Sequence, residues 1–373
     1  MSQETEPSAT TTATPSGTPR SRQFRLVALT VVLAVLAVAL VPIVLGFGPP
    51  TRDQLMERAG LKGKRELLIG VKDDQPGIAL QLPGGGWQGF DIDIAYLIAS
   101  YLDFDRSQVV LLPIESEDRA RRQAPHNDRF VTVDLVIASY SITEERTKEG
   151  ATFSAPYLHT EQSVITLADE PGPVSSLEDL RGRRVCTLTT STSQARLREV
   201  GAEALGRNKI SECVQELYDG QVDAVTTDAA ILAGFVTASQ DPDAFPVGLK
   251  RAKPLRHWDI GSSPQERWGV NTGPNTALRD LVDLALHASA KDEENKVWEE
   301  AYDDNLRWQQ PANRPQSVAE EQQPEPRKVE VRQWPWERFA LPLPGHPGPP
   351  PYAPVRASGR GVRRGRGRRS SGC

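Results

Sequence analysis

Residues 26–47 run for 22 positions without a charge, and most of them are Leu, Val or Ala. As a helix this stretch reaches about 33 Å, enough for a hydrocarbon core of about 30 Å. Arg20, Arg22 and Arg25 lie just before it, which favours a cytoplasmic N-terminus and an exported remainder. Arg52, Arg58, Lys62, Lys64 and Arg65 follow it and weaken that bias. The length favours an uncleaved membrane anchor over 25–48. The alternative is a cleaved signal, whose apolar region usually spans about 7–15 residues, and which would leave the protein secreted. No cysteine lies between 40 and 60, so a lipid-modified cysteine is excluded there. Residues 1–22, rich in Ser, Thr and Pro, read as a disordered cytoplasmic head.

Charge separates the rest. Residues 356–373 carry seven Arg and no acid, whereas residues 51–310 carry a net −13, so the formal −5 of the whole chain describes neither. An acidic body is repelled by phosphate, and no nucleic-acid partner is expected for it. Seven Pro in residues 341–354 suit an extended polyproline segment and exclude helix or sheet. The whole of 311–373 therefore reads as a disordered tail, Pro-rich and then Arg/Gly-rich. Its cationic end suits an anionic surface, or has no specific partner at all.

Between 65 and 308, strand-like and helix-like stretches alternate. Strands are predicted at 67–71, 109–114, 133–138, 164–167, 185–188 and 224–227. Helices are predicted after Asp91, with Asp91 as N-cap, and at 194–205, 229–238, 277–287 and 292–305. This alternation indicates an α/β fold with mostly parallel sheets, long enough for two lobes.

The motif Gly84-Gly85-Gly86-Trp87-Gln88-Gly89 fits a dinucleotide fingerprint literally. It follows a proline and has no acid about 20 residues on, so it reads as a hairpin or loop tip. The five His stand at spacings that no metal site uses, and no hydrolase or phosphate-loop motif occurs. No cofactor, metal or catalytic residue is expected. Cys186 and Cys213 are the only cysteines of this region. In an exported compartment they read as a disulfide, the alternative being two buried thiols.

Three segments carry chemistry. Ser139-Tyr140-Ser141 ends a strand and Arg146 follows, so hydroxyls, N–H groups and a planar guanidinium could converge on a carboxylate. Residues 189–193, all Ser or Thr, precede a helix whose free N–H groups attract anions, although plain capping serves equally well. Asp228 lies just past a buried strand and could hold an ammonium. Two anion sites and one cation site at strand ends describe an α-amino acid.

The same residues resemble family 3 extracellular solute-binding proteins, the amino-acid receptors of ABC importers. Gly89-Phe90-Asp91-Ile92-Asp93-Ile94-Ala95 looks like that family's signature, and residues 133–146 with Phe153 to Tyr157 look like its central block. Residues 71–77, Val185-Cys186-Thr187 and 222–228 look like its actinobacterial glutamate-binding branch, which has a similarly placed cysteine pair. The resemblance implies a type II, two-lobed periplasmic-binding-protein-like clamshell over 65–308. Lobe 1 would take about 65–157 and 260–308, and lobe 2 about 158–259. It implies that Arg146, with Ser139 and Ser141, clamps the ligand α-carboxylate. Ser191 and Thr192 would reach it from lobe 2, Asp228 would take the α-ammonium, and Arg119 a side-chain carboxylate. Family members often carry an aromatic ring where this chain has Asp73; Tyr140 or Trp87 could replace it. Asp91 and Asp93 are expected to cap their helix rather than touch ligand.

The expectation is a non-enzymatic receptor in the cell membrane, with its binding domain outside the cytoplasm, for glutamate or a similar acidic or amide amino acid. It would hand ligand to ABC-importer permease subunits, or alternatively signal to a partner membrane or kinase system; an enzyme on the same scaffold is the remote alternative.

Overall fold

A computed structural model describes residues 20–44, 48–170, 172–239, 249, 253–258, 260, 266–291, 296–307 and 323–332. The predicted head up to residue 19, Cys373, the Pro-rich and Arg-rich runs and the start of the predicted helix at 292 lie outside these residues. The chain forms two units, 1–50 and 51–373. In the first, a helix spans Arg20–Val44. Its segment Gln23–Val41 is long and apolar enough to cross a membrane by length and composition.

The second unit is α/β with two lobes, each on its own sheet. In the first lobe, Leu67–Val71 is the central strand, parallel to Val109–Pro113 on one side and to Leu135–Val136 on the other. Helix Phe90–Tyr101 buries Ile94, Ala95, Ile98 and Ala99 against this layer. Those positions fall on one face at the helical period, and each fully buried large aliphatic chain contributes about 1.5–3 kcal/mol. Trp298 stacks on Tyr302 and meets Phe90 edge-on, which fastens helix Val297–Asn305 to helix Phe90–Tyr101.

The second lobe has a five-stranded sheet in the order Glu203–Arg207, Arg184–Leu188, Ala224–Asp228, Gln162–Leu167, Leu255–Trp258. The first three are parallel, and Gln162–Leu167 is antiparallel to both neighbours. A two-stranded antiparallel ribbon, Leu158–Thr160 with Glu266–Trp268, carries the chain out of the first lobe and back. Return to the first lobe is marked by bridges from Asn271 to Val136 and Phe153.

Several local expectations are corrected. The helix predicted at 194–205 spans Thr192–Val200 and ends at Gly201 in the left-handed region (φ +77°), after which Glu203–Arg207 is a strand. A glycine there reverses the chain at little steric cost. The strand predicted at 133–138 is regular only over Leu135–Val136. Asp91 is not an N-cap: Gly89 holds that position at φ +125°, where a Cβ would lie 2.4 Å from the Ile78 carbonyl. Residues 123–132 form a hairpin, Gln123–His126 with Arg129–Thr132. Asn127 and Asp128, both at positive φ, provide its tight two-residue turn. The glycine-rich 84–86 is likewise the tip of a hairpin, with Gln81 paired to Trp87.

Residues 323–332, within the predicted tail, pack on the core of this second unit. Gln323 donates to the Leu286 carbonyl at 3.0 Å, and Val329 and Val331 pack on the main core.

Candidate functional site

Arg146 sits in the short helix Glu144–Lys148, capped by Thr143, whose Oγ1 accepts the Arg146 N–H. Its buried guanidinium donates through Nη1 to the Ser141 carbonyl at 2.6 Å and through Nη2 to the Thr190 carbonyl at 3.0 Å. One contact lies within the first lobe and the other reaches the second. The guanidinium also lies 4.4 Å from the centroid of the Tyr140 ring, and that of Arg119 lies 4.7 Å from the same centroid. Tyr140 and both arginines are buried. A ring face attracts each cation, but two cations so close repel one another. Burial, then the Arg146 charge, lower the Arg119 guanidinium to about 10. Burial likewise lowers that of Arg146.

Among the described residues the Arg119 guanidinium is bonded only to carbonyls, Nε to Ser116 O and Nη1 to Ala138 O and Ser139 O. Its buried Nη2 has no hydrogen-bond partner among them, and no acid of theirs pairs with it. An unpaired buried cation is costly, and a bound anion is the direct way to satisfy it.

Asp228 ends the strand Ala224–Asp228 and precedes helix Ala229–Ala238. Its Oδ2 accepts the Trp268 indole N–H at 2.5 Å. Burial and the charge of Glu266 push its carboxyl up to about 7, against the opposite pull of Arg146 and Arg196. Glu266 is itself paired with Arg196 at 2.8 Å.

Ser139 and Thr190 share an unusual backbone: φ is +48° at the first and +57° at the second. Left-handed geometry is uncommon for residues with a Cβ and worst for a β-branched one, and such strain concentrates at binding sites. Here it falls on the two loops that meet around Arg146. Ser139 Oγ donates to Gln75 Oε1 at 2.7 Å. Ser191 behaves as a cap, its Oγ accepting the Gln194 N–H at 3.1 Å, and Thr192 opens the helix that follows. Ser141 contributes its carbonyl to Arg146. Trp87, the other candidate ring, packs on the main core from its hairpin.

Residues 67–303 match the family described as bacterial extracellular solute-binding proteins, family 3. The chain belongs to that family. It is similar to a glutamate-binding protein of Corynebacterium efficiens, 34% identical over 173 residues, 45% of this chain and 58% of that protein. A glutamine-binding protein of Geobacillus stearothermophilus is 35% identical over 187 residues, 49% of this chain and 68% of that protein. Among solved structures, an ancestral arginine-binding protein bound to glutamine aligns with a TM-score of 0.54 at 28% identity. That alignment covers 65% of this chain and 98% of the other. The match spans little more than half the length of the Corynebacterium relative.

As in the sequence reading of this family 3 chain, Cys186 and Cys213 form a disulfide, with a Cα–Cα distance of 5.3 Å. It joins strand Arg184–Leu188 to helix Ile210–Tyr218, a helix not foreseen from the sequence. Apolar Ile210, Cys213, Val214 and Leu217, three and four apart and all buried, are the periodic signal that marks it.

Also unforeseen is a polar seam between the lobes. Lys72 donates to the Asn208 carbonyl at 2.8 Å, Lys209 pairs with Asp73 at 2.5 Å, and the Ser211 N–H donates to Asp74 at 2.9 Å. Asp73 therefore does not stand in for an aromatic ring; it meets a lysine from the other lobe.

Proposed function

We propose that residues 65–308 are an extracytoplasmic receptor for an amino acid, glutamate or a related acidic or amide one, without turnover. In this reading lobe 1 comprises about 65–157 and 260–308, and lobe 2 about 158–259. Arg146 takes the α-carboxylate with Ser139 and Ser141, Ser191 and Thr192 approach from lobe 2, and Asp228 holds the α-ammonium. Tyr140 lies beneath the ligand, and Arg119 takes a side-chain carboxylate.

The observation that carries this reading is the pair of buried guanidiniums on one Tyr140 ring, neither in an ion pair among the described residues and one of them, Arg119, with a buried nitrogen that has no hydrogen-bond partner there. Two cations and one carboxylate form the complement of glutamate, which presents two carboxylates and one ammonium. The glutamate- and glutamine-binding relatives support the same ligand class. Because ligand would touch both lobes, it favours the arrangement in which the lobes meet. Arg146→Ala is the test. Calorimetric titration is expected to show amino-acid affinity lowered by at least about 30-fold, as for truncation of one member of a buried charge pair. Unchanged affinity would sink the assignment.

Residues 26–47 tether the receptor to the cell membrane in this proposal, and ABC-importer permease subunits receive the ligand. The long apolar helix Arg20–Val44 also favours a second reading, a sensor that signals its occupancy to a membrane or kinase partner. Pull-down of the full chain separates them: permease subunits support delivery, and a kinase without permease supports sensing.

A further inference from the structure

Gly89 lets helix Phe90–Tyr101 begin tight against Ile78, and the Asp91 N–H donates to the Ile78 carbonyl at 2.8 Å. The first turn therefore aims the Asp91 side chain into the protein, where it is fully buried. Asp91 has no ion pair among the described residues. Instead its Oδ2 accepts the Ser139 N–H and its Oδ1 accepts the Tyr157 hydroxyl, each at 2.9 Å.

A buried carboxylate without a cation is expensive. Burial indeed pushes the Asp91 carboxyl up to about 7, although both hydrogen bonds pull it down. A helix does not need this: Asp91 gives its own helix no side-chain cap. The cost falls instead at two places that matter for the cleft. One is Ser139, held at φ +48° at the head of the loop whose Ser141 carbonyl receives Arg146. The other is Tyr157, the last residue before the crossover strand Leu158–Thr160. Tyr157 N–H donates to the Trp268 carbonyl at 2.8 Å, and the Trp268 indole donates to Asp228. A continuous run of bonded residues thus links Ser139, Asp91, Tyr157, Trp268 and Asp228.

We propose that Asp91 is a positioning residue of the ligand cleft: its carboxylate fixes Ser139 in the left-handed conformation and keys that loop to the interlobe ribbon through Tyr157. The inference rests on the amino-acid-receptor reading for its effect on ligand, but not for its effect on the loop.

The experiment compares Asp91→Ala, Asp91→Asn and Tyr157→Phe in the full chain in detergent. Glutamate affinity is read by calorimetry, and amide hydrogen exchange of the peptide containing Ser139 by mass spectrometry. Asn retains an oxygen for the Ser139 N–H and a polar atom for the Tyr157 hydroxyl. Affinity within about threefold of wild type is therefore expected for Asp91→Asn, and a loss of at least about 30-fold for Asp91→Ala. Exchange at Ser139 rises in Asp91→Ala and stays slow in Asp91→Asn. A merely structural aspartate lowers melting temperature but leaves the affinity of folded protein unchanged, and that result overturns the proposal. Equal damage from Asn and Ala overturns it too. Should Asp91→Ala not fold, Tyr157→Phe decides: a loss of about threefold to tenfold with intact folding supports the link, and no loss contradicts it. If wild type binds no amino acid, the receptor reading fails, while exchange at Ser139 still decides the role of Asp91.

Discussion

Arg146 reaches across the cleft to Thr190, its Nη2 donating to the Thr190 carbonyl at 3.0 Å although Thr190 holds a left-handed φ of +57°. The same guanidinium bonds Ser141 in its own lobe. One side chain therefore touches both halves of the cleft, so a ligand carboxylate held by Arg146 would sense their approach.

The first prediction concerns pH. Asp228 is pushed up to about 7 by burial and by Glu266, yet an ammonium ligand needs it ionised. Affinity should fall with acidity, by about tenfold between pH 8 and pH 6, with a limiting slope of about tenfold per unit. Asp228→Asn should bind more weakly and lose this dependence. For stability the sign reverses: an acid with a raised folded pKa contributes stability that is full below about pH 4 and is lost as pH rises through about 7. Calorimetry and thermal melts across this range measure both.

A second prediction tests the role of Arg119 through selectivity. Replacing it by Met removes the buried, partly unpaired guanidinium. Glutamate affinity should fall by at least about 30-fold and glutamine affinity by less than about threefold. Arg119→Lys keeps the charge without the planar fork and should be intermediate. Equal losses for both ligands would remove Arg119 from side-chain recognition.

The disulfide gives a third. Cys186 and Cys213 lie 27 residues apart, and closing such a loop stabilises by about 3.5 kcal/mol on the chain-entropy model. Cys186→Ser with Cys213→Ser should lower denaturant stability by about that amount, and reductant should match it in wild type.

A fourth concerns residues 323–332. Arg327 pairs with Asp280 and Asp283, and Asp283 Oδ1 also accepts the Ala155 N–H at 2.6 Å. Arg327 is partly exposed but Asp283 is fully buried, so Arg327→Ala leaves a buried acid without that cation and should cost about 1–3 kcal/mol. Asp283→Ala leaves the Ala155 N–H without its buried acceptor and should cost about 1–3 kcal/mol. Urea unfolding of both variants checks the two losses.

What could be read from sequence was whatever rests on local pattern. The apolar runs at 67–71 and 224–227 and the helix at Ala229–Ala238 fall where their periodicity puts them. The gathering of Tyr140, Arg119 and Arg146 could be expected only through family resemblance, since no local pattern brings residue 119 to residue 146. Asp91 was misread for a physical reason. An acid in a first turn is ordinarily a cap or a dipole partner, and only the fold reveals that this one faces Ser139 and Tyr157. The hairpin Gln123–His126 with Arg129–Thr132 was hidden by its exposed charges, and the seam from Lys72 to Ser211 by its distance along the chain.

The central claim is that the cleft around Arg146 and Asp228 binds an amino acid. Titrating the full chain in detergent with the common amino acids tests it most directly. Saturable heat with one molecule bound per chain is predicted, with glutamate or a close acidic or amide relative binding tightest, and with that heat lost in Arg146→Ala. No binding of any amino acid at about millimolar concentration, a free energy of only about −4 kcal/mol, would contradict it.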